Sequence, residues 1–128
     1  MSKWTKIITA DQTYHEEYTI TVEDDLPLIK YNNKDYILFQ VLVNVEKIYN
    51  TYNKDIHDIV NGEDKVTYTI DQDILDEFVI DEIYNVELID PETDEIIKIE
   101  NDKNLFNEIL NNKVYMDYFY NYLEGYIE

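Results

Sequence analysis

The amino-acid sequence predicts a single α+β domain, residues 1–128, on a mainly antiparallel sheet. Its elements are β-hairpins, a mid-chain helix, a short acidic helix and a C-terminal helical segment. Three observations predict it. Apolar and polar residues alternate with the period of a strand in three stretches, 18–23, 34–43 and 65–70. Turn-forming residues, Asn32-Asn33 and Asp90-Pro91-Glu92, separate apolar runs as hairpin turns do. Elsewhere the apolar residues recur at helical spacing, next to residues suited to capping.

Taken in order, Tyr18, Ile20 and Val22 alternate with Thr19, Thr21 and Glu23, as in a half-buried strand. The runs LPLIKY and KDYILFQVLV flank Asn32-Asn33, and asparagine tolerates the positive φ of a tight turn. The second run is apolar on both faces, with Ile37, Phe39, Val41 and Val43 against Tyr36, Leu38 and Leu42, which predicts a central strand. From Val45 the spacing of Ile48, Tyr49, Tyr52, Ile56, Ile59 and Val60 predicts a helix closed by Asn61-Gly62. KVTYTI then alternates again, with Val66, Tyr68 and Ile70 on one face.

The stretch DQDILDEFVIDEIYN predicts a short acidic helix capped by Asp71 or Asp73. Asp73, Asp76, Glu77 and Asp81 would share one side, with Ile74, Leu75, Phe78, Val79 and Ile83 on the other. Ile80 and Glu82 interrupt this pattern and place a break near Ile80. VELIDPETDEIIKIE predicts a hairpin with Val86, Leu88, Ile97 and Ile99 inward and Asp94 in the left-handed position. Asn101 or Asp102 caps a helix carrying Leu105, Phe106, Ile109 and Leu110. Residues 113–128 continue that helix, begin a second after Asn111-Asn112, or form a strand. Helix is favoured, because Tyr115, Phe119, Tyr122 and Tyr126 fall near one face. Trp4 is expected to anchor the first strand in the core.

Composition excludes several chemistries. The chain has no cysteine, hence no disulfide, thiolate nucleophile or zinc–cysteine site. It has no arginine, whose planar fork is the usual clamp on phosphates and base edges, so direct nucleic-acid binding is not expected. Gly62 and Gly125 are the only glycines, too few for a phosphate-cradling loop. The only serine, Ser2, lies at the terminus, which rules against a serine triad. His15 and His57 are the only imidazoles, and His57, between Asp55 and Asp58, reads as a solvated surface residue. The carboxylates are too numerous for one acid–base pair to stand out. A non-enzymatic protein without cofactor or metal is expected. Residues 1–12 lack the apolar core of a signal peptide and no apolar run approaches membrane-spanning length, so a cytoplasmic location is expected.

The formal charge of -19 is unevenly spread. Residues 61–102 hold fifteen of the 29 acids and two of the ten lysines, a net of -13. A protein acidic only for solubility would spread its acids over every exposed face; here they are gathered on an ordered scaffold. Such mutual repulsion predicts a protein more stable in salt than in dilute buffer. Carboxylates projected from ordered elements lie several ångströms apart, comparable with phosphates about 7 Å apart along one nucleic-acid strand.

In size, charge and lack of cysteine the chain resembles the small acidic DNA-mimic inhibitors of phages and mobile elements, of the anti-CRISPR and anti-restriction type. That resemblance implies occupation of the basic nucleic-acid channel of a partner such as a CRISPR effector or restriction nuclease. The residues expected to carry it are Asp71, Asp73, Asp76, Glu77, Asp81, Glu82, Glu87, Asp90, Glu92, Asp94 and Glu95. Tyr68, Tyr84 and the C-terminal tyrosines would stack on arginine at such an interface or pack in the sheet. The alternative is a small acidic structural, assembly or regulatory protein that binds its partner without imitating DNA. A calcium-loop register also places Asp71, Asp73 and Glu82 at positions 1, 3 and 12, but Leu75 and Asp76 stand where a ligand and a glycine are required.

Overall fold

The computed structural model describes residues 4–127; Ser2 lies outside them. A five-stranded sheet is ordered β1 (Thr5–Thr21), β3 (Lys34–Val60), β4 (Glu63–Ile89), β5 (Ile96–Ile99), and β2 (Ile29–Tyr31) pairs with β3. Two helices follow, α1 (Lys103–Leu110) and α2 (Lys113–Glu124). The α+β class with an antiparallel sheet holds, and β3 is the central strand. The chain forms two compact units, one of Met1–His15 with Glu46–Val79, the other of Glu16–Val45 with Ile80–Glu128.

The second unit contains the apolar core. Helix α1 starts where the Asp102 carboxylate accepts the Leu105 amide at 3.0 Å, and α2 where Asn112 accepts those of Val114 and Tyr115. The C-terminal segment is therefore a second helix after Asn111-Asn112. Its buried stripe is Tyr115, Phe119 and Leu123, one side chain per turn, while Tyr122 and Tyr126 stack on each other at 4.9 Å with Tyr126 exposed. Ile20, Leu38, Val41, Val43, Val45, Val86 and Leu88 are buried in the same unit. Each such aliphatic or aromatic side chain contributes roughly 1.5–3 kcal/mol on burial.

Three tyrosines of α2 spend their hydroxyls on the backbone of the sheet and the loop beside it. Tyr118 accepts the Glu23 amide at 3.0 Å and donates to the Thr21 carbonyl, Tyr120 accepts the Ile80 amide at 3.0 Å, and Tyr115 donates to the Pro27 carbonyl. The tyrosine-rich C terminus thus satisfies backbone groups that the strand ladders leave open.

The turns agree with their sequences. Asn32 and Asn33 take φ of 51° and 61° and close β2 onto β3 in the register Tyr31↔Lys34. Asp94 takes φ 59°, and β5 returns along β4 with Val86↔Ile99 and Leu88↔Ile97. Asp90 organises this turn: its carboxylate accepts the Glu92 amide at 2.9 Å, and its backbone bonds to Glu95 and Asp94.

Two expected helices are strands. Residues 45–60 belong to β3, and Asn61-Gly62 is a hairpin turn rather than a helix cap. Both take positive φ, 55° and 80°, as a two-residue type I′ turn requires. The apolar residues there are mostly β-branched or aromatic and serve either period, and the two-residue turn leads directly into β4. The acidic stretch 71–83 likewise belongs to β4. A helix would have set Asp73 against Glu77 and Glu77 against Asp81 at i,i+4, repulsive spacings. Extended, the same acids stand about 13 Å apart along the strand, and Asp73 and Asp81 gain the cross-strand donors Thr51 and Asn44.

The first unit is built differently. It contains the hairpin ends of β3 and β4 and the first part of β1, and among its described residues only Asn50 is fully buried. Trp4 is 36% exposed rather than a core anchor, with the Lys54 ammonium 5.5 Å from its ring. Val66, Tyr68 and Ile70 lie on a strand as expected, but all are exposed, as are Ile59 and Val60 beside the turn.

Candidate functional site

Successive residues of a strand point to opposite faces, so cross-strand contacts assign the acids of the hairpin to two surfaces. On one, Asp76 accepts hydrogen bonds from the Tyr52 hydroxyl at 2.6 and 2.7 Å and from the Asn50 amide, and lies 3.4 Å from the Lys6 ammonium. Lys54 shares that face, two residues along from Tyr52. The Tyr52 hydroxyl, then Asn50 and Lys6, hold the Asp76 carboxyl below its ordinary range despite partial burial, and the Tyr52 phenol is raised in return. Asp76 is partnered and locally neutralised.

The opposite face carries a different chemistry. The Thr51 hydroxyl donates to Asp73 at 2.7 Å, and four residues along each strand the Thr69 hydroxyl donates to Asp55 at 2.8 Å. Alternation places Asp71 on this face between Thr69 and Asp73, roughly 7 Å from each by strand rise. Alternation gives this face Tyr49, Thr51, Asn53 and Asp55 on β3 and Thr69, Asp71 and Asp73 on β4, with Lys47 next along β3 and Lys65 four residues before Thr69 on β4. A hydroxyl fixes a carboxylate without cancelling its charge. Asp55, Asp71 and Asp73 therefore form a short ordered row of negative charge, closed toward the turn by His57 Nδ1, 3.3 Å from Asp64.

The remaining expected residues occupy separate settings. Glu77 is exposed on β4 of the first unit. In the second unit Asp81 accepts from the Asn44 amide at 3.3 Å, and Glu82 lies beside it. Glu87 stands directly across from Lys98. Asp90 is buried and ion-paired with Lys34; that ammonium and the Glu92 amide hold its carboxyl below the usual range, and Lys34 is raised in return. Glu92, Asp94 and Glu95 are exposed in the turn. Asp76 and Asp90 are thus committed to intramolecular partners. No local signal in the sequence marks Asp55, Thr51 and Thr69, because only the Asn61-Gly62 hairpin brings β3 against β4, and an unbroken two-residue register from that turn would set Thr51 opposite Gln72 rather than beside Asp73.

The second unit also has a cleft of about 420 Å³ lined by residues 81–84 of β4, Glu100, Asn101 and residues of α1. Among the described residues, no group of three or more His, Cys, Asp or Glu side chains is placed to hold a metal ion. Asp71, Asp73 and Glu82 lie along one strand rather than around a loop. Among the same residues no helix is long and apolar enough to cross a membrane.

Compared with protein-family models, with curated proteins and with solved structures, the chain matches none.

Proposed function

We propose that the protein is a non-enzymatic acidic decoy that occupies the basic nucleic-acid channel of a partner such as a nuclease or CRISPR effector. One observation carries the reading. The carboxylates of Asp55 and Asp73 are held by threonine hydroxyls rather than by ammonium groups, with Asp71 between them. Fixed negative charges at this spacing imitate one side of a phosphate backbone, and fixing them in advance lowers the ordering cost of binding. A lysine- or arginine-lined channel would be attracted by the net charge of the whole chain and engaged by the row.

The test is capture from bacterial lysate with the tagged protein, excess duplex DNA and a salt series. A captured DNA-binding protein, released by DNA and by salt, is the expected result. The triple variant D55N/D71N/D73N should lose it, whereas D76N, altering an acid that is already neutralised, should keep it. Undiminished capture by the triple variant would remove this face from the interaction.

A second reading, a small assembly or regulatory protein without nucleic-acid mimicry, is favoured by the apolar side chains around the hairpin turn. Ile59 is 74% and Tyr68 57% exposed, and Val60, Val66 and Ile70 are exposed with them. A partner held there would ignore both DNA and salt, and Ile59→Ser with Tyr68→Ser would release it.

A further inference from the structure

The cleft in the second unit is large enough for a ligand and has a mixed lining. Its volume, about 420 Å³, falls within the range of small-molecule sites. Ile83 and Phe106, both buried, and Leu110 give it apolar wall. Asp81, Glu82, Tyr84, Glu100, Asn101 and Asn107 share the lining. Lys103 is the single cation of the lining. Asp81 is oriented by the Asn44 amide, and Glu100 lies 3.5 Å from Lys98.

Three acidic residues, one of them paired with Lys98, against Lys103 and beside apolar wall select a particular chemistry. An anion would meet repulsion, and a purely apolar ligand would bury the carboxylates without partners. A cation on an aliphatic stem satisfies both parts: the stem lies along Ile83, Phe106 and Leu110, and the head donates to the carboxylates. The field around the cleft has the matching sign, since this unit holds nineteen of the chain's 29 acids and five of its lysines. The Tyr84 phenol responds to that field; burial first, then Glu82, Glu17 and Asp81, raise it above its ordinary value.

We propose that the cleft between β4 and α1 binds a guanidinium or ammonium group carried on an aliphatic stem, with Glu82 and Glu100 receiving the head. Lys103 belongs to the same lining, so its ammonium would compete with an incoming cation. The site goes beyond the decoy reading and stands without it, because Asp55, Asp71 and Asp73 line no part of the cleft.

The experiment is an amide-resolved NMR titration of the full chain with N-acetyl-arginine methylamide, at constant ionic strength. The isosteric neutral citrulline analogue and agmatine are run beside it. Saturable shifts grouped at Tyr84, Asn101 and Asn107, given by the arginine probe and not by citrulline, are expected. Glu82→Gln should weaken binding about threefold, as an exposed ion pair allows, and Lys103→Met should strengthen it by a similar factor. Agmatine binding tighter than the capped residue would assign the site to a free small amine. Affinity for the capped residue at least as high would assign it to an arginine or lysine side chain of a protein. Equal shifts from citrulline, or non-saturating shifts spread over every acidic segment, would overturn the site and leave only a counterion atmosphere. The D55N/D71N/D73N variant should titrate as the parent does, which separates failure of the cleft from failure of the decoy face.

Discussion

The Tyr120 hydroxyl accepts the backbone amide of Ile80 at 3.0 Å, forty residues away in sequence. Ile80 is buried, so its N–H has little access to water. Tyr120→Phe removes the acceptor and keeps the ring. Leaving a buried amide unsatisfied costs about 1–3 kcal/mol, so denaturant unfolding should show a loss of that size. Exchange of the Ile80 amide should accelerate more than that of residues on β2. Unchanged stability would mean that water replaces the hydroxyl without cost.

Gly62 tests the turn that makes 34–89 a hairpin. At φ +80° an added Cβ meets nothing within 4 Å, so Gly62→Ala is penalised by the backbone alone. The left-handed region costs an L-residue about 1–2 kcal/mol, and chemical denaturation should show that loss. Gly62→Asn should cost less, because asparagine tolerates this region better.

Asp90 and Lys34 give the acid limb of stability a defined contributor. A carboxyl whose folded pKa lies below its unfolded value near 3.8 binds its proton less readily in the folded chain. Its contribution is complete above that value and is lost as the pH falls through the lower folded value. The melting-temperature difference between the parent and Asp90→Asn should therefore shrink below about pH 4. A difference independent of pH from 6 to 2 would place the role of Asp90 in its turn hydrogen bonds rather than its charge.

Repulsion among the acids sets the response to salt. Raising ionic strength from about 0.01 M to about 0.15 M shortens the screening length from about 30 Å to about 8 Å. The melting temperature should rise over that interval, and D55N/D71N/D73N should melt higher in dilute buffer with a smaller rise. A salt-independent parent would show that the charges are already balanced locally.

The sequence by itself determined the turns at Asn32-Asn33 and Asp94, the alternation in 18–22 and 36–43, the 86–99 hairpin and a helix capped by Asn101 or Asp102. Each rests on a local cause: a φ only a few residues tolerate, a two-residue period, a side chain within reach of an open amide. It also determined that the acid is concentrated, since charge is counted without coordinates. Tertiary structure decided 46–60 and 71–83. Asn61-Gly62 suits a helix end, which needs one positive φ, as well as an I′ turn, which needs two in succession, and only the folded chain shows both. The apolar spacing beside it fits both periods, and propensity differences between them are fractions of a kcal/mol per residue. Pairing β3 with β4 settled the matter through many ladder bonds at once, and with it the placing of Asp76 on one face and Asp73 on the other. No local signal carries that division, because it depends on which strand lies opposite.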